Sequence, residues 1–345
     1  MKAVRIHQHG GVDQLRYEDS PNPELKAPNE VILRLKAAAI NRLDLRIRSG
    51  LSGVDVPLPH ILGAEGAGVA TLVGSDVKNI KPGDAVCLYP AIGCGECEYC
   101  VTDREFMCPH LSLLGVQSDG TYAEHVRVPE RNCFPIPRGL SFEAAAAFPL
   151  AFVTVWHMLV TNAEIKPGEL VLILGIGGGV ASAALQVARC FGAKIIVTSS
   201  SDRKISMARE LGAAHGINYL KTDFAKEVRN LTDKHGADIV VDCIGGDSWV
   251  RSLAALAKGG RLVTCGAAAG AQPQTHLQRI FWNHLKVFGS RLGSRNEFHQ
   301  VLKFLEVSGA EPVLDRVYPL KDADIAQQRL EHGEQFGKIV LRMDG

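Results

Sequence analysis

Neither sign of charge dominates this chain: 38 lysines and arginines stand against 37 aspartates and glutamates, a formal net charge of +1 over 345 residues. Such a surface lacks the electrostatic footprint that nucleic acid or an anionic bilayer requires, so neither is expected as a partner. Long apolar runs are also missing. No uninterrupted stretch reaches the roughly 18 to 20 residues of a membrane span, and Met1-Lys2-Ala3-Val4-Arg5-Ile6 lacks the apolar core of a secretory signal. A soluble cytoplasmic protein is the expectation. What is present is ordinary in proportion, 46% hydrophobic and 22% charged, and long enough for two domains with a core each.

Nine cysteines are present, yet a chain of this size without an export signal argues against a disulfide scaffold. Cys94, Cys97, Cys100 and Cys108 crowd into fifteen residues, and the others are scattered in apolar contexts. In a reducing cytosol that pattern favours a metal site. Four thiolates at this spacing can converge on Zn²⁺, and a closed sulfur shell leaves no open position for chemistry, so the zinc is expected to be structural. Pro109 after Cys108 also suits a ferredoxin-type run, which makes an iron–sulfur cluster one alternative, although the last gap is longer than in that pattern. Unliganded cysteines are the other.

Two textures divide the chain. Residues 1–150 alternate short β signals, among them Val31–Leu35, Gly68–Val73 and Ala85–Leu88, with turns such as Lys81-Pro82-Gly83-Asp84. Residues 151–294 alternate strands with helices. Leu170–Leu174, Lys194–Thr198, Ile239–Asp242 and Arg261–Thr264 read as strands, Val180–Phe191 and Arg203–Leu211 as helices. Continuous β-branched runs between helices imply an α/β fold whose parallel sheet is covered on both faces. Residues 295–345 are mixed and end in Gly337–Leu341, read as a strand returning to the first domain.

Between a buried strand and a helix stands Gly175-Ile176-Gly177-Gly178-Gly179-Val180-Ala181. Glycines let the backbone turn sharply and approach a pyrophosphate, which then rests on the helix N-terminus. A flexible turn without ligand is the plainer reading, but it leaves four glycines in five positions unexplained, each costly in conformational entropy. About 20 residues on, an acid would hold a ribose 2′-hydroxyl. Here the chain reads Thr198-Ser199-Ser200-Ser201-Asp202-Arg203-Lys204, and Asp202 comes late enough to be a helix N-cap. Arg203 and Lys204 suit a 2′-phosphate. NADP(H) is therefore preferred, with NAD(H) the alternative and a capped helix bearing solvated charges the bland one.

Together these motifs resemble the medium-chain dehydrogenase/reductase superfamily, the fold of zinc alcohol dehydrogenases and quinone reductases, over essentially the whole chain. Its carriers are Gly63-Ala64-Glu65-Gly66-Ala67-Gly68, Lys81-Pro82-Gly83-Asp84, the cysteine lobe, Gly120-Thr121-Tyr122-Ala123-Glu124, the glycine turn and Gly337-Lys338-Ile339-Val340-Leu341. The resemblance implies a β-rich GroES-like catalytic domain at 1–150 with its zinc lobe at 93–110. It also implies a doubly wound Rossmann domain at 151–294 and a return to the catalytic domain at 295–345. The departures are specific. Where zinc alcohol dehydrogenases place the cysteine, the histidine and the third ligand of a catalytic metal, this chain has Asn41, Ala64 and, near the third position, Leu150. Leu43 stands where their relay hydroxyl would be. Residues 39–50 instead resemble the zinc-free quinone and enone reductases, which usually lack the cysteine lobe. The chain reads as a hybrid: structural zinc kept, catalytic zinc gone.

By the same resemblance, cofactor contacts are expected from Arg42, Thr154, Gly175, Gly178, Gly179, Val180, Ser199, Ser200, Arg203, Lys204, Tyr219, Cys243, Ile244, Cys265 and Gly266. The implied reaction is hydride transfer from NADPH to a small conjugated carbonyl compound, a quinone, enone or enoyl, with Asn41 and Arg46 donating to the developing oxyanion. An alcohol dehydrogenase or aldehyde reductase of the same fold is one alternative, and a non-catalytic NADPH-binding sensor or structural protein another. Glu65 reads as a proton carrier or as a structural carboxylate paired with Arg46 or Arg48. A homodimer is expected through the edge strand near Leu285-Lys286-Val287-Phe288, with a tetramer the alternative.

Overall fold

The computed structural model describes residues 1–343. Two compact units make up the chain: one spans Met1–Leu150 and resumes at Ser294, the other is Ala151–Gly293. Among the described residues no helix is long and apolar enough to cross a membrane.

In the second unit six parallel strands stand in the order His215–Asn218, Lys194–Ser199, Leu170–Ile173, Ala237–Val241, Leu256–Thr264, Lys286–Gly289. Numbered along the chain this is 3-2-1-4-5-6, the doubly wound order, and its direction reverses between Leu170–Ile173 and Ala237–Val241. Side chains alternate across a strand. Leu172, Ile196, Val240 and Leu262 therefore share one face, packed with Phe224, Val228 and Leu253 of the helices Phe224–Leu231 and Ser248–Ala255. Val171, Ile173, Ile195, Val197, Ile239 and Val241, of the opposite parity, are just as buried. Burial on both faces is what the unbroken apolar runs require. The fifth strand starts earlier than the sequence suggests. Ala237 already pairs with Leu256, and a register shift at Ala237/Ile239 absorbs the turn-like Lys258-Gly259-Gly260.

The first unit is built on a seven-stranded sheet. Its path runs Cys133–Pro135, Ala85–Leu88, Glu65–Val73, Glu30–Ala39, Lys338–Arg342, Leu314–Pro319, and His125–Pro129 joins Glu30–Ala39 as well. The last of these strands in sequence, Lys338–Arg342, lies antiparallel to the end of Glu30–Ala39, with Val340 opposite Ala39, and Ala39 is itself opposite Glu65. Phe298, from the returning segment, packs among Tyr89, Phe134 and Phe148 with ring centroids 5.5, 4.8 and 5.7 Å away.

One close crossing positions the polar residues of this unit. Gly120 N–H donates to Ile61 O at 2.8 Å, Thr121 N–H to Gly63 O at 3.0 Å and Tyr122 N–H to Leu62 O at 2.9 Å. The Thr121 hydroxyl donates to Glu65 O at 2.8 Å. Gly63 has φ +104°, and a Cβ there would stand 2.4 Å from Tyr122 Cδ1. Backbone strain and overpacking add up, so Gly63→Ala is expected to cost on the order of 2–4 kcal/mol. The urea midpoint should fall with the slope unchanged; an unmoved midpoint would show that the crossing relaxes freely.

Candidate functional site

The cysteine lobe offers a metal site. The short helix Glu98–Val101 and the turn Glu105–Met107 fold the loop back. The Sγ atoms of Cys94, Cys97, Cys100 and Cys108 then lie within 4.8 Å of one another. Cys94 and Cys100 sulfurs are 3.8 Å apart. A Zn–S bond of about 2.3 Å gives a tetrahedral edge of about 3.8 Å, so the cage has the right size for zinc. Backbone N–H groups of Glu96 and Cys97 push the Cys94 thiol down to about 6, toward the thiolate that a metal needs. Among the described residues this is the one group of three or more Cys, His, Asp or Glu side chains arranged to hold a metal ion.

A second cluster forms around Glu65, which is fully buried. Its Oε1 accepts from Asn41 Nδ2 at 2.8 Å and from Lys338 Nζ, while Oε2 accepts the Leu150 N–H at 2.7 Å. Lys338 Nζ also donates to Asn41 Oδ1 at 2.6 Å. Asn41 and Leu150, two of the three positions expected to lack metal ligands, therefore converge on a carboxylate that already holds a cation. Both halves of the Asn41 amide are engaged. Asp44 lies one helical turn on, in Arg42–Ser49, and its Oδ2 accepts the Asn41 N–H and the Tyr122 hydroxyl, each at 2.8 Å. Burial pushes the Asp44 carboxyl up to about 7, against the lowering effect of these two donors.

The expected partners of Glu65 need correction. Glu65 pairs with Lys338; Arg48 is buried and donates to Gln327 at 2.5 Å and to Glu331, and Arg46 lies on the exposed side of its helix. Arg42 is exposed as well. His60 is buried, and that burial holds its pKa below the ordinary value, as for a packed neutral ring.

In the second unit the glycine turn stands where the sequence reading put it. Gly178 caps the helix Gly179–Cys190, so the N–H groups of Gly179 and Val180 belong to its first turn, which has no intrahelical acceptors. Gly175 N–H donates to Thr198 Oγ1 at 3.2 Å and Ile176 N–H to Thr198 O at 2.8 Å, tying the turn to the second strand. Beyond that strand the helix Asp202–Glu210 is capped by Ser201 rather than Asp202, its oxygen accepting from Lys204 N–H at 3.4 Å. Asp202 turns to Asn218 and Lys221, at 2.8 and 2.6 Å, which hold its carboxyl below the usual range. Ser199 is buried, Ser200 and Arg203 are exposed, and Lys204 is half-buried. Tyr219 is exposed at the end of His215–Asn218, and Thr154 is buried in Pro149–Trp156. Cys243, Cys265 and Gly266 follow the fourth and fifth strands at their C-terminal ends.

The residues that sequence reasoning passed over are Lys338 and Tyr122, although both lie in motifs it singled out. For Lys338 the signal was a lysine opening an otherwise apolar strand. For Tyr122 the signal was a hydroxyl beside the Gly63 crossing.

Two measurements check this geometry. Purified protein should contain one zinc per chain by elemental analysis, and Cys108→Ser should lose most of it; a full complement in that variant would remove Cys108 from the shell. For Asp44, the folded carboxyl near 7 lies above its ordinary value of 3.8. Its stabilising preference for the protonated form is thus present below about 4 and lost as pH rises to about 7. Relative to Asp44→Asn, the wild type should lose stability steadily over that window in urea titrations. A pH-independent difference would refute the raised value.

A family model for "Alcohol dehydrogenase GroES-like domain" matches residues 27–138, and one for "Zinc-binding dehydrogenase" matches 179–307. A zinc-type alcohol dehydrogenase-like protein of Schizosaccharomyces pombe is 35% identical over 97% of this chain and 96% of its own length. An NAD-dependent alcohol dehydrogenase of Sulfolobus acidocaldarius is 31% identical over 99% and 100%. The crystal structure of an NAD-dependent alcohol dehydrogenase superposes with a TM-score of 0.96 at 42% identity, over the full length of both chains. With a doubly wound dinucleotide domain, a GroES-like domain and a four-cysteine zinc lobe, this chain belongs to the zinc-type alcohol dehydrogenases of the medium-chain dehydrogenase/reductase superfamily and is a nicotinamide-dependent oxidoreductase.

Proposed function

We propose that the chain moves hydride between NADP(H) and a small carbonyl compound, interconverting an alcohol with its aldehyde or ketone, at a centre whose resident cation is Lys338. The alcohol dehydrogenase names of the S. acidocaldarius relative and of the 42% identical structure support that substrate class. The observation that carries the rest is the Asn41–Glu65–Lys338 cluster, because asparagine, alanine and leucine offer no thiolate, imidazole or carboxylate at the three ligand positions. The bound nicotinamide supplies or accepts the hydride.

The chain's own residues supply charge and a proton store. Lys338 places an ammonium 2.6 Å from Asn41 Oδ1, and Glu65 holds it there. Asn41 is the half-buried, neutral member of a cluster whose two charged members, Glu65 and Lys338, are buried. Its amide is therefore held in one orientation, polarised by the ammonium on one side and the carboxylate on the other. Asp44, titrating near 7 beneath Asn41, can keep or give up a proton at neutral pH.

A second reading, reduction of a conjugated carbonyl compound, is favoured by the same missing ligands. In a conjugated acceptor the negative charge spreads to an enolate oxygen, which demands less of a nearby cation. The cofactor choice rests on Ser199, Ser200, Arg203 and Lys204, which together suit a 2′-phosphate; the relatives' names support NAD(H) instead. We also propose a homodimer formed along Lys286–Gly289, the outermost strand of its sheet, where Val287 is exposed. A monomer in sedimentation at micromolar concentration would overturn it.

The decisive assay follows NADPH and NADH oxidation with saturated aldehydes, ketones, enones and quinones. Turnover of saturated carbonyls, faster with NADPH, is the expected result. Activity confined to conjugated acceptors would replace it with the second reading, and a preference for NADH would remove the 2′-phosphate assignment. Lys338→Met should lower kcat/KM by about 100-fold with the dinucleotide Kd unchanged, and Lys338→Arg should recover part of it. Equal activity in all three proteins would exclude Lys338 from the chemistry.

A further inference from the structure

Outside the zinc lobe the chain has five cysteines, and two of them meet. Cys243 and Cys265 sulfurs are 3.2 Å apart, although the residues are 22 positions apart in sequence. Their strands explain the meeting. Val241 is paired with Val263 in the parallel ladder, and the Asp242 N–H donates to Val263 O at 3.0 Å. Two residues further on, Cys243 and Cys265 lie just past the ends of these adjacent strands, whose usual spacing of about 4.8 Å is within the Cα range of a disulfide.

The other thiols differ. Cys87 and Cys133 are buried, and burial pushes the Cys133 thiol up to about 12. Cys190 is exposed. Cys243 and Cys265 are half-buried. The Cys265 thiol, hydrogen-bonded to Cys243, holds the Cys243 pKa below its ordinary value and is itself held high. One sulfur of the pair is thus the better nucleophile and the other keeps its proton.

The pair sits just past the C-terminal ends of the fourth and fifth strands, the fourth being one side of the point where the sheet order reverses. Asp242 is fully buried and pins the chain just after Cys243, accepting the Ile244 and Gly245 N–H groups at 2.9 and 3.0 Å and the Ser252 hydroxyl at 2.7 Å. Ile244 leans on the glycine turn: a Cβ on Gly175 would stand 2.8 Å from Ile244 Cδ1. The Gly266 backbone closes on Cys243 from the other side, a Cβ there standing 3.3 Å from Cys243 O. Drawing the sulfurs in by about 1.2 Å to bonding distance acts on a segment packed directly against the glycine turn.

We propose that Cys243 and Cys265 form a reversible disulfide by exchange with a low-molecular-weight disulfide such as oxidised glutathione, and that the oxidised protein binds its dinucleotide weakly. The second clause rests on the assignment of the glycine turn to the cofactor. The Cys243 thiolate attacks one sulfur of the oxidant, whose S–S bond breaks and whose other half leaves as thiolate and takes up a proton. A mixed disulfide remains on Cys243. Cys265 then gives up its proton and attacks the Cys243 sulfur, expelling the second glutathione. Two protein thiols lose two electrons in all, and one oxidised glutathione becomes two reduced ones.

The test uses zinc-loaded protein carrying Cys190→Ser, treated with oxidised glutathione, alkylated and mapped by mass spectrometry. A linked peptide pair joining Cys243 to Cys265, released by dithiothreitol, is expected, with the NADPH Kd raised at least tenfold. Cys265→Ala should stop at a glutathione adduct on Cys243, and Cys243→Ala should acquire neither product. Free, alkylated thiols at both positions after treatment, or an unresolved adduct on Cys243 with Cys265 present, would overturn the disulfide. A Kd unchanged within twofold on full oxidation would overturn its control of the cofactor. If the reduced protein binds neither NADPH nor NADH, the cofactor assignment fails, and the peptide map still decides the disulfide.

Discussion

The buried ion pair between Lys338 and Glu65 is the constraint on which the catalytic unit turns. A carboxylate with no solvent access and an ammonium with almost none are costly to desolvate, and Coulomb attraction offsets that cost only when the remaining hydrogen-bonding capacity is filled. The fold fills it. Asn41 bridges the two charges, the Leu150 N–H takes the second carboxylate oxygen, and the Thr121 hydroxyl holds the Glu65 backbone. These partners come from three separate stretches of chain. The pair therefore determines how the first strands, the Gly120–Tyr122 crossing and the returning C-terminal strand are joined.

That arrangement also explains how a zinc-type dehydrogenase fold keeps a polar centre after losing the ligands of a second metal. The zinc lobe is local in sequence, closed, and independent of the Glu65 cluster in its ligands. The cluster is non-local, and its positive charge is covalently part of the chain. A lysine cannot supply the open coordination position of a metal, but it brings a fixed cation that needs no loading.

Local signals made part of this legible. The six-strand sheet follows from β-branched runs alternating with helices, and the glycine turn from a strand-turn-helix context within a few residues. The cysteine spacing already marked Cys94, Cys97, Cys100 and Cys108 as a metal site, with zinc preferred. Long-range pairing was not legible. Glu65 had two basic candidates near in sequence, Arg46 and Arg48, and the partner proved to be Lys338, 273 positions away. The capping of Asp202–Glu210 failed for a smaller reason: serine and aspartate cap equally well, and the Asp202 carboxylate was claimed by Asn218 and Lys221 from the next strand and loop. The fifth strand began early because ladder pairing overrode the turn propensity of two glycines.

The placement of Lys338–Arg342 inside the first unit's sheet, between Glu30–Ala39 and Leu314–Pro319, carries a consequence for biogenesis. On a ribosome the second unit, continuous in sequence, emerges whole and can complete its sheet while synthesis proceeds. The first unit cannot. Its strand Glu30–Ala39 is made early, yet the neighbour that shields the Ala37–Ala39 end is translated only after the whole second unit. For most of translation that end of the strand is an open edge, and Glu65 has no counter-charge. A nascent chain of this design has to be kept from pairing with other chains until that strand arrives, so the Glu65–Lys338 cluster is assembled only after the second unit has been made.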